Sequence, residues 1–225
     1  TNTDDFSPAK EAWSRPDIPL HAQAFLKFSE NISNPLDELE SLKADGSSLV
    51  FVGDVVGTGS SRKSAVNSML WHMGEDISYV PAKKTGGFCL GNKIAPIFYN
   101  TLQDSGALPL ELDVENLSHG QKIVLKPYAG EIIDVDSGKV ITQFNLKSEV
   151  LLDEVKAGGR INLIIGRQLT DKTREKLGLE PSNKFRRYGE GKETNKGYTL
   201  AQKMVGRACG IEGVRAGQYC EPRMT

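Results

Sequence analysis

Residues 49–74 hold the side chains in this sequence best placed to do chemistry. Gly53, Gly57 and Gly59 are interleaved with Asp54 and Thr58, and Ser60, Ser61 and Arg62 follow directly. Two hydroxyls beside a guanidinium suit an anion, because arginine presents a rigid fork of donors that matches a carboxylate or phosphate bidentately. Glycines let a ligand approach the main chain closely. A helix start adds free N–H groups and a dipole that favours negative charge. Three readings compete. The first is a nucleotide-phosphate loop, but that pattern needs glycine before its lysine, and here Arg62 precedes Lys63 and Ser64. The second is a glycine-rich turn with Ser60 or Ser61 as an ordinary helix cap. The third is a carboxylate site, with Arg62 as anchor and a serine placed for proton transfer.

The loop needs a strand before it and a helix after it. Leu49, Val50, Phe51 and Val52 form a short, bounded apolar run, as a buried strand should. After Arg62, Ala65, Met69 and His72 recur at helical spacing, with Val66 and Leu70 beside them. Upstream, residues 1–20 show little periodicity and are rich in turn and capping residues, so a frayed terminus is one reading. Residues 21–32 read as a helix with Ala24, Phe25 and Phe28 on one face. Asn34 and Pro35 start another, which Asp45 and Gly46 stop.

Downstream, residues 78–81 are expected to be extended, and residues 86–91 to form a second glycine-flanked loop before a helix. That helix would bury Ile94, Ile97, Phe98 and Leu102. Lys83, Lys84 and Lys93 read as a solvated face. Strands are expected over 108–113 and 121–126. A hairpin follows from 131–135 and 140–144 around Asp136-Ser137-Gly138-Lys139. A short helix over 150–156 ends at Gly158-Gly159. Strands mixed with helices suggest an α/β domain ending near Ile165. Beyond it lie a charged helix over 169–177, a polar stretch over 181–196 and a helix over 199–208. Within the polar stretch, Arg186, Arg187 and Tyr188 read as a solvated linker, with RNA contact as the alternative.

Composition sets bounds. The 225 residues are 38% hydrophobic and 25% charged, which suits a globular chain with a real core. A net charge of −1 supplies no basic field to favour nucleic acid. No apolar run approaches the ~20 residues that span a bilayer, so no membrane partner is expected. The polar, acidic start is not a signal peptide, and an initial threonine suggests a processed or excised piece. Cys89, Cys209 and Cys220 are too few and too scattered for a disulfide framework, which points to a reducing compartment. They include no close pair for a metal or iron–sulfur site, so no metal is expected in this segment.

The stretch GTGSSRKSA resembles the G-x-G-S-S-R loop of the aconitase superfamily. The following GGFCLGNKIAPIFYNTLQDSGALPLELDVENL is similar to the bacterial aconitase B type, and the likeness runs from NTDDFSPA to YCEPRMT. The resemblance implies an aconitase-type swivelling β/β/α domain over 1–165, with a mixed sheet flanked by helices. A partly helical linker and the start of the catalytic core would occupy 166–225. Aconitases interconvert citrate and isocitrate through cis-aconitate, with a [4Fe-4S] cluster that would be ligated outside this chain. The resemblance makes Ser60 the base, and has Ser60, Ser61 and Arg62 contact substrate. Thr3, Asp4 and Ser7 match a T-D-x-x-S segment lining the cleft. Arg15 matches a second carboxylate anchor, although its spacing from Ser7 is slightly shorter than in mitochondrial-type relatives. The implied partners are a tricarboxylate, the other aconitase domains and, in the apo form, messenger RNA; the implied location is cytoplasmic. The chain alone would be inactive. The alternatives are a stand-alone small subunit of an isopropylmalate dehydratase-like enzyme and an RNA-binding regulatory module.

Overall fold

The computed structural model describes residues 1–30, 32–185, 194–216, 218, 220, 222 and 223. Contacts divide the chain into two compact units, Thr1–Gly166 and Arg167–Thr225. The stretch holding Arg186, Arg187 and Tyr188 lies outside the described residues.

In the first unit the N-terminal segment is packed down rather than frayed. Helix α1 (Thr3–Phe6) is closed by a capping box in which Asn2 accepts from the Asp4 amide and Asp5 accepts from the Asn2 amide. Its anchor is Phe6, fully buried and stacked on Phe25 at 5.4 Å and Phe98 at 5.8 Å, with Phe51 edge-on at 4.8 Å. Aromatic pairs of this kind contribute roughly 0.5–1.5 kcal/mol each beyond their burial. A single 3-10 turn (Ala9–Glu11) leads to α2 (Ile18–Ala22).

The helix expected over 21–32 is therefore shorter and earlier. Asp17 caps it, and Pro19 is tolerated in the first turn, where its missing N–H is not needed. Turns follow, with Leu26 at φ +55° and its amide donating to the Asp5 carbonyl at 2.8 Å. Phe28 does not join the buried face. It is exposed, with the Lys10 and Lys27 ammonium groups over its ring.

After α3 (Pro35–Lys43) come β1 (Val50–Val56), α4 (Arg62–Met73), the hairpin strands β2 (Glu75–Ile77) and β3 (Val80–Thr85), and β4 (Phe88–Ile94). Then follow α5 (Pro96–Asp104), β5 (Leu108–Glu111), β6 (Ile123–Lys126), β7 (Glu131–Asp134), β8 (Val140–Gln143), α6 (Leu151–Ala157) and α7 (Arg160–Lys176). Parallel and antiparallel pairing are partitioned. A parallel sheet runs β1-β4-β5, while β2-β3 and β6-β7-β8 are antiparallel.

Three expectations need correction. The glycine-flanked 86–91 stretch is the central strand β4 rather than a loop. Its Gly91 pairs with Gly53 of β1, and a Cβ at 91 would lie 3.0 Å from the Gly53 carbonyl oxygen, so glycine permits the close pairing. For the same reason β1 continues through Gly53 to Val56 instead of ending at Val52. Ile97 is exposed rather than buried, while Phe98 and Leu102 carry the inner face of α5.

Period-two alternation splits the core across the parallel sheet. Phe51 and Cys89 face a cluster with Phe6, Met69 and Phe98, whereas Val50 and Leu90 face one with Leu110, Ile132 and Leu151. The helix expected over 169–177 is the end of α7, which starts at Arg160.

The second unit contains α8 (Leu200–Ala208), closed at its start by a Thr199–Gln202 capping box. Past the helix the chain folds back on it. A Cβ on Gly206 would meet the Gly213 Cα at 2.3 Å, and the Val214 amide donates to the Gln202 carbonyl at 3.1 Å. Arg215 lies 3.9 Å over the Tyr198 ring. Among the described residues, no helix is long and apolar enough to cross a membrane.

Candidate active site

The turn between β1 and α4 is held from two sides. Gly57 has φ +80°, and a Cβ there would sit 2.2 Å from the Phe98 ring. Gly59 has φ +116°, and its Cβ would sit 2.4 Å from both Asn2 Oδ1 and Thr3 Oγ1. Only glycine combines that left-handed backbone with so little room. Main-chain bonds lash the same turn to the N-terminal segment. The Thr3 amide donates to the Thr58 carbonyl at 2.7 Å, and the Gly57 amide donates to the Thr1 carbonyl at 3.0 Å. Asn2 and Thr58 form a parallel bridge.

Ser61 occupies the cap position of α4, yet its hydroxyl does not cap the helix. It donates instead to Asp4 Oδ1 at 3.0 Å. The cap expected from Ser60 or Ser61 is thus absent: Ser61, at φ −80° and ψ 38°, is not in the extended conformation from which a side-chain oxygen accepts the first-turn amides. The first-turn amides of α4 keep their attraction for an anion. Arg62 Nε donates to the Gly59 carbonyl at 3.1 Å, which fixes the guanidinium plane over the turn. Among the described residues its two terminal nitrogens have no hydrogen-bond partner. Ser60 is exposed, and its hydroxyl likewise has no partner among the described residues. One free hydroxyl, one free guanidinium edge and a set of uncapped amides therefore share one turn.

The predicted residues divide into two groups. Thr3, Asp4, Ser60, Ser61 and Arg62 come together around the turn, Thr3 fully buried and Asp4 at the surface. Ser7 points inward: it is buried, and its hydroxyl pairs with His21 Nε2 at 2.7 Å. Arg15 is held by its neighbours, donating from Nε to Glu11 Oε2 at 2.9 Å and from a terminal nitrogen to Gln23 Oε1 at 3.0 Å. Lys27 and Arg15 together hold the Glu11 carboxyl below its usual range. None of these Arg15 bonds reaches the turn. Sequence reasoning missed Asn2, which caps α1 and bridges to Thr58. The signal was present, since Asn2-x-x-Asp5 is a capping-box pattern. Asp54 lies in β1 outside the turn, accepting from Asn92 Nδ2 at 2.7 Å.

The family model for the aconitate hydratase 2 N-terminus matches residues 1–198. The chain belongs to that family. Members of the aconitate hydratase B group are its near relatives. It is 58% identical over 233 residues to the Salmonella typhimurium aconitate hydratase B, and 58% identical over 236 residues to that of Pseudomonas aeruginosa. Each alignment covers 100% of this chain but 27% of the relative, so the chain spans about a quarter of the length of the aconitate hydratases it matches. Among solved structures, the 3-isopropylmalate dehydratase of Methanocaldococcus jannaschii is similar with a TM-score of 0.55. The match covers 77% of this chain and 91% of that one. At 18% identity that likeness shows the fold, an α/β domain with helices against parallel and antiparallel sheets.

An iron–sulfur cluster takes several thiolates. This aconitate hydratase segment does not present such a set. Cys89 is fully buried in β4, where burial pushes its thiol up to about 12. Cys209 and Cys220 are free and half-buried in the second unit. Among the described residues, no three His, Cys, Asp or Glu side chains gather to hold a metal. The residues present do not fit the cluster.

Proposed function

We propose that this chain forms one wall of the active site of an aconitate hydratase that interconverts citrate and isocitrate through cis-aconitate. Residues 1–165 are the swivelling domain in this reading, and 166–225 lead into the catalytic core. The [4Fe-4S] cluster is held by other parts of the enzyme, and the complete protein works in the cytoplasm. The observation that carries the reading is the Gly59–Arg62 turn, where an unpartnered serine hydroxyl and guanidinium edge share uncapped helix amides. Dehydration removes a proton from a carbon next to a carboxylate. Ser60 Oγ takes that proton and returns it when water adds back. An alkoxide is a strong base in need of stabilisation, and the α4 amides with the Arg62 charge supply it in a closed, dry site.

The terminal nitrogens of Arg62 clamp a substrate carboxylate, with the Ser61 hydroxyl fixed beside it by Asp4. Thr3 and Asp4 hold the turn in place, and Ser7 braces α1 from inside through His21. Arg15 serves as the second anchor through its remaining terminal donors. A tricarboxylate needs several cations to fix its orientation, and orientation is worth a large share of the barrier. The small-subunit alternative is not favoured, because the family match and the 58% identities are to aconitate hydratases. Messenger-RNA binding by the apo form would fall to Arg186 and Arg187; a gel shift with both replaced tests it.

The experiment for the main reading is steady-state kinetics of the complete enzyme. Ser60→Ala should lower kcat by about 100-fold or more with KM little changed, as for a group acting on the migrating proton. Arg62→Lys keeps the charge but loses the planar fork, so KM should rise and kcat fall together. Near-normal turnover in Ser60→Ala, combined with inactivity of Ser61→Ala, would move the base to the other serine. Two active but less stable variants would reduce the turn to a structural element.

A further inference from the structure

Beneath the Gly57–Arg62 turn lies the first turn of α5. Phe98 packs against Gly57, where a Cβ would sit 2.2 Å from its ring, and the Ala95 amide donates to the Val56 carbonyl at 2.8 Å. No side chain caps α5 at Ala95. The corner between β4 and α5 is held instead from the end of β5. Glu111 Oε1 accepts from the amide of buried Ile94 at 2.9 Å, and Glu111 Oε2 lies 2.6 Å from Lys147 Nζ. The same ammonium stands 4.4 Å from the centre of the ring of Tyr99, the residue after Phe98. Burial pushes the Glu111 carboxyl up, but the Lys147 and Ile94 bonds outweigh it and hold the carboxyl below its usual range. Glu111 is therefore an anion with both oxygens engaged. None of these bonds reaches Ser60 itself.

We propose that Glu111 is a positioning residue for the reaction, holding the floor of the Ser60 turn in place through its bond to the Ile94 amide. The path is short and continuous. Glu111 fixes Ile94, the next residue Ala95 fixes Val56, and Val56 leads directly into Gly57. Phe98, three residues past Ala95, closes the path from below. A buried amide that loses its acceptor must move to find another. Movement of the Ile94 corner carries Ala95 and Phe98 with it, and Gly57 has no room against that ring to stay behind. A serine that takes a proton from carbon is sensitive to such a shift, since a misplacement of about 1 Å can cost about 100-fold in rate. Arg62, on a long side chain, follows a bound carboxylate through the same shift, so binding changes less than turnover. The role assigned to Glu111 rests on Ser60 being the base.

The test is a double-mutant cycle in the complete enzyme, joined to hydrogen exchange of the 225-residue chain. Glu111→Ala should lower kcat about tenfold or more, while KM stays within about twofold of the parent. On a Ser60→Ala background the same substitution should cost less than about twofold, because residues that act as one unit are not additive. The paired change Glu111→Gln with Lys147→Met removes both charges but keeps an acceptor for the Ile94 amide, so kcat should return close to the parent value. In exchange, residues 57–62 of Glu111→Ala should open at least about fivefold faster than in the parent. Strands β6–β8 should be unchanged, and the paired variant should restore protection to the turn. An unchanged kcat in Glu111→Ala, equal losses on the two backgrounds, a paired variant as slow as Glu111→Ala, or faster exchange spread evenly through β6–β8 would each overturn the proposal. Full turnover by Ser60→Ala would instead remove the base, and Glu111 would then stand or fall on the exchange of residues 57–62 alone.

Discussion

The Ser61 hydroxyl donates to Asp4 and accepts no amide of its own helix. Neighbouring positions of the turn therefore differ in what they contribute to stability. Ser61→Ala removes one partly exposed hydrogen bond and no cap, so a thermal melt should register a loss of about 1 kcal/mol or less. Gly59→Ala is different in kind. The new Cβ would enter at 2.4 Å from Asn2 Oδ1 and Thr3 Oγ1, on a backbone at φ +116°. A loss of about 1–3 kcal/mol is expected from strain at such a position. If both variants melted alike, the turn would have to be far more yielding than its contacts indicate.

At the scale of elements, α4 is fastened to α2 as well as to the turn. His72 donates from Nε2 to the Ala22 carbonyl at 2.7 Å. Burial lowers its pKa below the ordinary 6.5, outweighing the Ala22 bond, and the charges of Lys43 and Lys84 push the same way. The folded chain therefore keeps His72 neutral where an unfolded chain takes up a proton. Its contribution to stability is full above about pH 6.5 and is lost as pH falls below that value. Denaturant titrations between pH 7.5 and pH 5 should show this decline, and His72→Gln, which can still donate to Ala22, should flatten it. Phe98 joins α5 to the same region through Phe6 and Gly57. Phe98→Ala should cost about 3–5 kcal/mol by cavity formation, measured as a fall in the denaturant midpoint. The strand–turn–helix around Ser60 was legible in the sequence because each of its signals is local. An apolar run, a glycine turn and a 3.6-residue period all fall within residues 49–74. The N-terminal segment entered the site through the resemblance of Thr3, Asp4 and Ser7 alone; its local pattern did not show it, because Phe6 finds Phe25, Phe51 and Phe98 only through tertiary packing. Residues 86–91 read as a loop for a related reason: glycines weaken the local strand signal, and only the opposite Gly53 explains Gly91. The expectation that Arg15 anchors an anion came from resemblance alone, and its partners Glu11 and Gln23 could not be inferred from type or spacing.

At the scale of the whole molecule, Thr1–Gly166 contains two apolar clusters on opposite faces of its parallel sheet. A chain ending at residue 166 should therefore fold by itself. Circular dichroism should show a single cooperative melt for that piece, and a broad, non-cooperative transition would refute its independence. The site inside that unit has a history written into its connectivity. Its parts are Asn2 to Asp4, Gly57 to Arg62 and Phe98, and each rests on the others. A ribosome delivers them in that order, with long stretches of chain between. The first part must wait, unsupported, until the second arrives, and the second has no floor until Phe98 emerges. An unfinished chain thus displays the serine and arginine without the posture that gives them chemistry. The proposed hold on a carboxylate is then acquired late in synthesis, as a property of the closed circuit rather than of any segment in it.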